Sequence, residues 1–231
     1  TVARGEPDIA EAAAAPAADV EAAPLEQSGQ RLPYRVRKVL WQQQLAAEVP
    51  LLLPLRAVTH RALQRAHTVQ ATILRRVAAP VEHFGPQLEK LAATMLETMY
   101  EHEGVGLAAP QVGIAKRFLV CHDLESDPLC LVNPEILEMD GAEVADEGCL
   151  SIPRIYAPVQ RAERIHVRAK DPLGNDLDFE AHGFLARIIQ HETDHLDGRV
   201  FLDRVDILTR QSKLAEWEEL RPSLESAAPL G

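Results

Sequence analysis

The chain has 231 residues, 46% of them hydrophobic, which is enough for one well-packed domain with material to spare or for two small ones. Aromatic residues make up only 4%, so the core must be built mainly from Leu, Ile, Val and Ala, and a formal net charge of -11 argues against a nucleic-acid binder, sequence-specific or general, and against an anionic membrane surface. The three cysteines, Cys121, Cys130 and Cys149, are too few and odd in number for a disulfide framework. A reducing, cytoplasmic setting is therefore expected, with an organellar matrix as the lesser alternative. The longest apolar run, Val49 to Leu55, is broken by Pro50 and Pro54 and is too short to span a bilayer, so no transmembrane helix is expected.

Residues 1–30 are rich in Ala, Glu and Pro and lack apolar periodicity, which predicts an acidic disordered tail. Over 31–66 the balance reverses: Arg31, Arg35, Arg37, Lys38, Arg56, Arg61 and Arg65 face the single acid Glu48 and are interleaved with Leu40, Trp41 and Leu45. That segment reads either as basic amphipathic helices that touch a partner or as an extension outside the functional unit. Residues 1–66 form an N-terminal extension on this reading, and a compact domain covers 67–222.

Within that domain, Leu88, Leu91, Met95, Leu96 and Met99 recur at helical spacing and predict an amphipathic helix from Pro86 to Tyr100. Lys116 to Cys121, Leu129 to Val132 and Ile165 to Ala169 are short β-rich runs, and Pro172 to Asn175 carries hairpin-turn chemistry. Cys121 and Cys130 lie in these apolar runs and read as core. Phe184, Leu185, Ile188, Ile189 and Leu196 line one face of a helix over 183–197, opened by Gly183 and followed by Gly198 where a left-handed C-cap would fall. A polar helix over 207–221, closed by Pro222, precedes a tail at 223–231. The order of helix, strands and helix predicts an α+β fold, with antiparallel β-sheets packed around a central helix and flanking N- and C-terminal helices.

Three segments carry chemistry. The helix over 183–197 contains His191-Glu192-Thr193-Asp194-His195, whose two histidines share one helix face and can reach one metal ion. Glu192 is then held beside the metal without binding it, where it can take a proton from a water. A buried helix with two His, a Glu and two Asp must satisfy those groups internally, which favours a metal over a chance pattern. The second segment, Gly104-Val105-Gly106-Leu107-Ala108-Ala109-Pro110-Gln111, either allows close backbone approach or is a turn that merely needs glycine; it lacks the third glycine of a phosphate cradle. The third is Glu147-Gly148-Cys149-Leu150-Ser151. Cys149 is either a small buried hydrophobe or the third ligand that would make a Cys-His-His set with one position left open.

In this order and spacing the three segments resemble the signature motifs of the peptide deformylases, over roughly residues 69–210. The resemblance includes the Leu96-Glu97-Thr98-Met99-Tyr100 run before the glycine motif and Leu196-Asp197-Gly198 after the histidines. It implies a metal-dependent deformylase domain that removes the formyl group from the initiator methionine of nascent chains. Carried over by residue, it makes Cys149, His191 and His195 ligands of one divalent metal, Fe(II) foremost and Zn(II) as the alternative. Glu192 becomes general base and acid, with the Gln111 side chain and the Leu150 backbone N–H as oxyanion donors. Gly106 and the Leu107 backbone would pair with the extended peptide, and Val105, Phe184 and Ile188 would receive the methionine side chain. The implied partners are N-formylmethionyl nascent peptides and the ribosome near the peptide exit.

Glu147 and Arg161 are expected either as a supporting ion pair or as a solvated surface pair. The chain departs from the family pattern at Arg154, where Gly is common, and at Ala71-Thr72, where Asp-Pro is usual. Two other readings compete: a zinc peptidase of the H-E-x-x-H type, whose third ligand is more often Glu or a downstream His, and a non-catalytic metal-binding or ribosome-associated module.

Overall fold

The computed structural model describes residues 72–227. The N-terminal extension 1–66 and the expected domain start at 67 lie outside the described residues, as do 228–231. Helix α1 (Pro86–Glu101) opens on a proline, whose missing N–H costs nothing in a first turn, and buries Met95, Leu96 and Met99. Seven strands follow: β1 (Gly106–Ala108), β2 (Phe118–Cys121), β3 (Leu129–Asp140), β4 (Glu143–Cys149), β5 (Ile152–Arg161), β6 (Arg164–Lys170) and β7 (Asp176–His182). Helix α2 (Gly183–Leu196) and helix α3 (Ile207–Ala227) complete the described fold. Every pairing between these strands is antiparallel, so the α+β expectation holds.

One sheet has five strands in the order β1-β2-β3-β6-β7, and β4 and β5 form a separate hairpin. The apolar run Phe118-Leu119-Val120-Cys121 is buried on both faces of the larger sheet. Phe118 and Val120 pack with Met95 and Met99 of α1 in one core cluster. Leu119 and Cys121 point the other way and pack with Ile189 and Leu196 of α2 in a second. The period-2 alternation of a strand thus lets four residues serve two helices. A third cluster joins Ile155 and Val159 of the hairpin to Trp217 of α3. No helix among the described residues is long and apolar enough to cross a membrane.

Several boundaries differ from expectation. Strand β3 runs eight residues past Val132, to Asp140. Those extra residues, largely exposed, lack a continuous apolar signal, and cross-strand charge pairs replace it. On β6, Arg164 bonds Asp140 of β3 and Arg168 bonds Glu135, while His166 and Lys170 bond Asp178 and Asp176 of β7. A basic strand between two acidic ones specifies register, because a slip of one residue would reverse the facing partners. Pro222 does not close the last helix: α3 continues through it to Ala227. Leu220 and Leu224 pack against the third cluster from both sides of the proline, and the Ser223 hydroxyl donates to the Leu220 carbonyl at 2.7 Å. Packing outweighs the hydrogen bond lost at Pro222, and the expected tail at 223–231 belongs to the helix as far as Ala227.

Gly198 takes the predicted left-handed conformation after α2, at φ 74°. A Cβ there would lie 2.9 Å from the backbone oxygen of Arg75, so the chain needs glycine for both conformation and space. Gly198→Ala is expected to lower the unfolding free energy by about 2 kcal/mol, read from urea unfolding of the purified protein. An unchanged midpoint would contradict this account of the end of α2.

Candidate metal centre and active site

Helix α2 turns an apolar face to the sheet through Ile189 and Leu196 and buries His191, Glu192, Thr193, Asp194 and His195. Strand β4 ends at Cys149 facing this helix, and a tight connection brings the chain back at Ile152. The thiol and the two imidazoles meet: their ligand atoms all lie within 4.8 Å of one another. The Cys149 Sγ is 3.3 Å from His195 Nε2. His191 Nδ1 donates to Glu147 Oε2 at 2.9 Å, since a carboxylate can only accept, and this leaves Nε2 for the Cys149 side chain. Phe201 stacks on the same ring.

Burial alone would raise the Cys149 thiol, but the imidazoles of His195 and His191 outweigh it and hold the group well below its ordinary range. One cysteine sulfur and two imidazoles form a donor set suited to a borderline transition-metal ion such as Fe(II) or Zn(II). An orphaned buried atom agrees, because Glu192 Oε2, beside the cluster, has no hydrogen-bond partner among the described residues. The residues present therefore fit a metal.

Beneath the three side chains lies a chain of alternating charge. Glu147 receives both Nε and Nη2 of Arg161 at 2.9 Å, and Nη1 of Arg187 at 2.8 Å. Arg161 also donates to Asp194 at 2.6 Å, and Arg204 donates to the same carboxylate. The Glu147 and Arg161 side chains are only 5% and 4% exposed, so the solvated-pair reading is replaced by a buried one. Burial would raise Glu147, but hydrogen bonds from His191 and Arg161 overcome it and lower its pKa to about 2.

Sequence reasoning missed Arg187, whose other bonds go to the backbone oxygens of Val159 and Glu143. The available signal was its place one turn before His191 on a helix that is otherwise apolar there. It also missed Phe201 and Arg204, which lie beyond the motif and reach the site only through the fold.

Glu192 sits against the glycine motif. Burial pushes its carboxyl up to about 7. A Cβ on Gly106 would fall 2.3 Å from Glu192 Oε1. Neither Gly104 nor Gly106 has a positive φ, so the motif is glycine for close approach and not for a turn. Gln111 is buried, with its Oε1 accepting from the Ala108 N–H at 2.8 Å. That bond orients the amide so that Nε2 faces Ser151 Oγ at 3.1 Å and Cys149 Sγ at 3.6 Å.

A cavity of about 430 Å³ opens over these groups, lined by Val105, Gly106, Gln111, Cys149, Leu150, Phe184, Ile188, His191 and Glu192. Leu107 is not in this lining: its side chain lies in the core beneath α1, and its backbone runs along β1 at the edge of the sheet. The lining adds Arg154, the departure from the family pattern noted in the sequence, and His102, Glu103, Asp146, Pro153 and Tyr156, which the motifs did not indicate.

The family model for polypeptide deformylases matches residues 64–211. A peptide deformylase of Alkalilimnicola ehrlichii is 48% identical over 150 residues, covering 64% of this chain and 84% of that protein. The crystal structure of a peptide deformylase from Legionella pneumophila matches with a TM-score of 0.65 at 37% identity, covering 70% of this chain and 96% of the other. One from Synechococcus elongatus, in complex with actinonin, matches at 0.62 and 42%, covering 65% and 85%. With the family model spanning more than half of its length, the chain belongs to the polypeptide deformylase family.

Proposed function

We propose that this protein hydrolyses the formamide bond of N-formylmethionyl nascent peptides, releasing formate and a free amino terminus. The observation that carries this reading is Glu192: a buried carboxyl raised to about 7, beside a Cys-His-His trio, inside a cavity closed by a glycine motif. In the proposed roles Cys149, His191 and His195 hold one divalent cation, Fe(II) before Zn(II). When bound there, the cation supplies Lewis acidity, which brings a water's pKa to about 7 and polarises a carbonyl.

Glu192 takes one proton from the attacking water as the oxygen bonds to the formyl carbon. The Gln111 Nε2 and the Leu150 backbone N–H donate to the oxygen that gains negative charge. As the carbon–nitrogen bond breaks, Glu192 returns the proton to the departing amine. Gly106 keeps the peptide backbone close to this carboxyl, and β1, an edge strand among the described residues, suits at Gly106 and Leu107 an extended peptide added as a strand. Val105, Phe184 and Ile188 form the apolar seat for the methionine side chain. Helix α2 is the central element of the proposal, as its contacts with β1, β2, β6 and β7 suggest. Work in the cytoplasm beside the ribosomal exit completes the reading, supported by three free cysteines. The peptidase alternative is disfavoured because the third potential ligand beside the histidines is Cys149, whereas Glu147 is spent on His191 and two arginines.

Formate release from formyl-Met-Ala-Ser by the iron-loaded, anaerobically handled protein tests the reading; cleavage of internal bonds without formate would sink it. Glu192→Gln should lower kcat by roughly 10²–10⁴-fold while metal content stays at one equivalent. Gln111→Leu should cost about 3 kcal/mol of transition-state stabilisation, seen in kcat/KM.

The support beneath His191 gives a pH signature. Glu147 is ionised more easily in the folded chain than when unfolded, so its stabilisation is complete above its ordinary 4.5 and is lost as pH falls toward about 2. That interval amounts to about 3 kcal/mol for a carboxylate this buried. Urea unfolding of the chelator-treated protein should show the decline, and Glu147→Gln should remove this part of it. Identical pH profiles for the two proteins would refute the assignment.

A further inference from the structure

Arg154 has no task in the chemistry above, yet its placement is unusual. It lines the mouth of the catalytic cavity with Glu103, Asp146, Pro153 and Tyr156. Its φ is 67°, a left-handed conformation that L side chains rarely adopt. The side chain is exposed, and no hydrogen bond or ion pair among the described residues engages its guanidinium. It therefore returns little to the fold in exchange for that conformation, and unfavourable backbone of this kind recurs where ligands are held.

The surroundings define what such a group can read. The other arginine of the lining, Arg187, is buried and committed to Glu147 and to backbone oxygens. Glu103 and Asp146 are exposed in the same lining and the whole chain carries -11, so an incoming carboxylate is repelled by these acids and attracted by the exposed guanidinium of Arg154. Beside it Tyr156, 60% exposed, rests its ring on Gly148, where a Cβ would lie 2.7 Å from the ring edge. The mouth thus offers a guanidinium and an aromatic ledge on the hairpin wall, facing acids.

We propose that Arg154 is a specificity-determining residue that receives an Asp or Glu side chain of the peptide just downstream of the formylated methionine. The assignment rests on the deformylase reading. A growing chain has no free C-terminal carboxylate, so the side chain is the group available to it. The contact is solvent-exposed and acts on substrate binding, hence on KM and on the salt dependence of association.

The test compares formyl-Met-Ala-Glu-Ser and formyl-Met-Ala-Gln-Ser, each in C-terminally amidated and unamidated form, with the metal-loaded wild-type protein and with Arg154→Asn and Arg154→Lys. Asparagine tolerates the left-handed backbone and removes the charge, while lysine keeps the charge. The ratio of kcat/KM for the Glu peptide to that for the Gln peptide should fall about three- to tenfold in Arg154→Asn, mainly through KM and less at high salt. Arg154→Lys should retain most of the wild-type ratio. An unchanged ratio in Arg154→Asn overturns the proposal, as does a dependence on Arg154 that appears only with unamidated peptides. Failure of the wild-type protein to release formate from either peptide would instead remove the deformylase reading beneath it.

Discussion

The buried carboxylate of Glu147 is the interaction on which the site depends. Three cationic or donor side chains converge on it, Arg161, Arg187 and His191, each from a different element or turn. A charge this deep is tolerable only when its lone pairs are filled, because removing ions from water costs several kcal/mol each. The chain Arg187-Glu147-Arg161-Asp194-Arg204 meets that condition by alternating sign. The same bonds orient His191, so the energetics of burying α2 and the geometry of this imidazole are one problem with one solution.

The network also explains how a helix can be apolar on one face and so polar on the other without being exposed. Ile189 and Leu196 secure it to the sheet, while Asp194 and Gln190 bond arginines and the Ala162 backbone on the side away from the cavity lining. The cavity side is left to His191, Glu192 and Ile188. Glu192 owes its raised pKa to this dry setting, and its room to Gly106, where any side chain would collide with the carboxyl. Small residues in the glycine motif and an acid in the histidine motif are thus complementary parts of one contact.

Legibility followed the strength of local signals. Helices α1 and α2 could be read because their apolar residues repeat at helical spacing, and β2 because four consecutive residues are apolar. The outer part of β3, and β4 and β7, were not legible, since Glu, Asp and Gly disfavour strands and only cross-strand partners make them stable. Pro222 gave a false stop because local propensity takes no account of Leu220 and Leu224 packing on Trp217.

The sequence alone singled out the residues of the proposed chemistry: Cys149, His191, His195, Glu192 and Gln111 stand in three motifs in the order that the deformylase family shows. It also placed the glycine at 198. Tertiary structure decided the rest: that Glu147 is buried and not solvated, that Arg187 and Arg204 bond the buried carboxylates and Phe201 stacks on His191, and that Gly104 and Gly106 serve contact and not a turn. The physical reason is range. Periodicity and capping act within a few residues and are written locally, whereas desolvation and close approach exist only once distant segments share the same space.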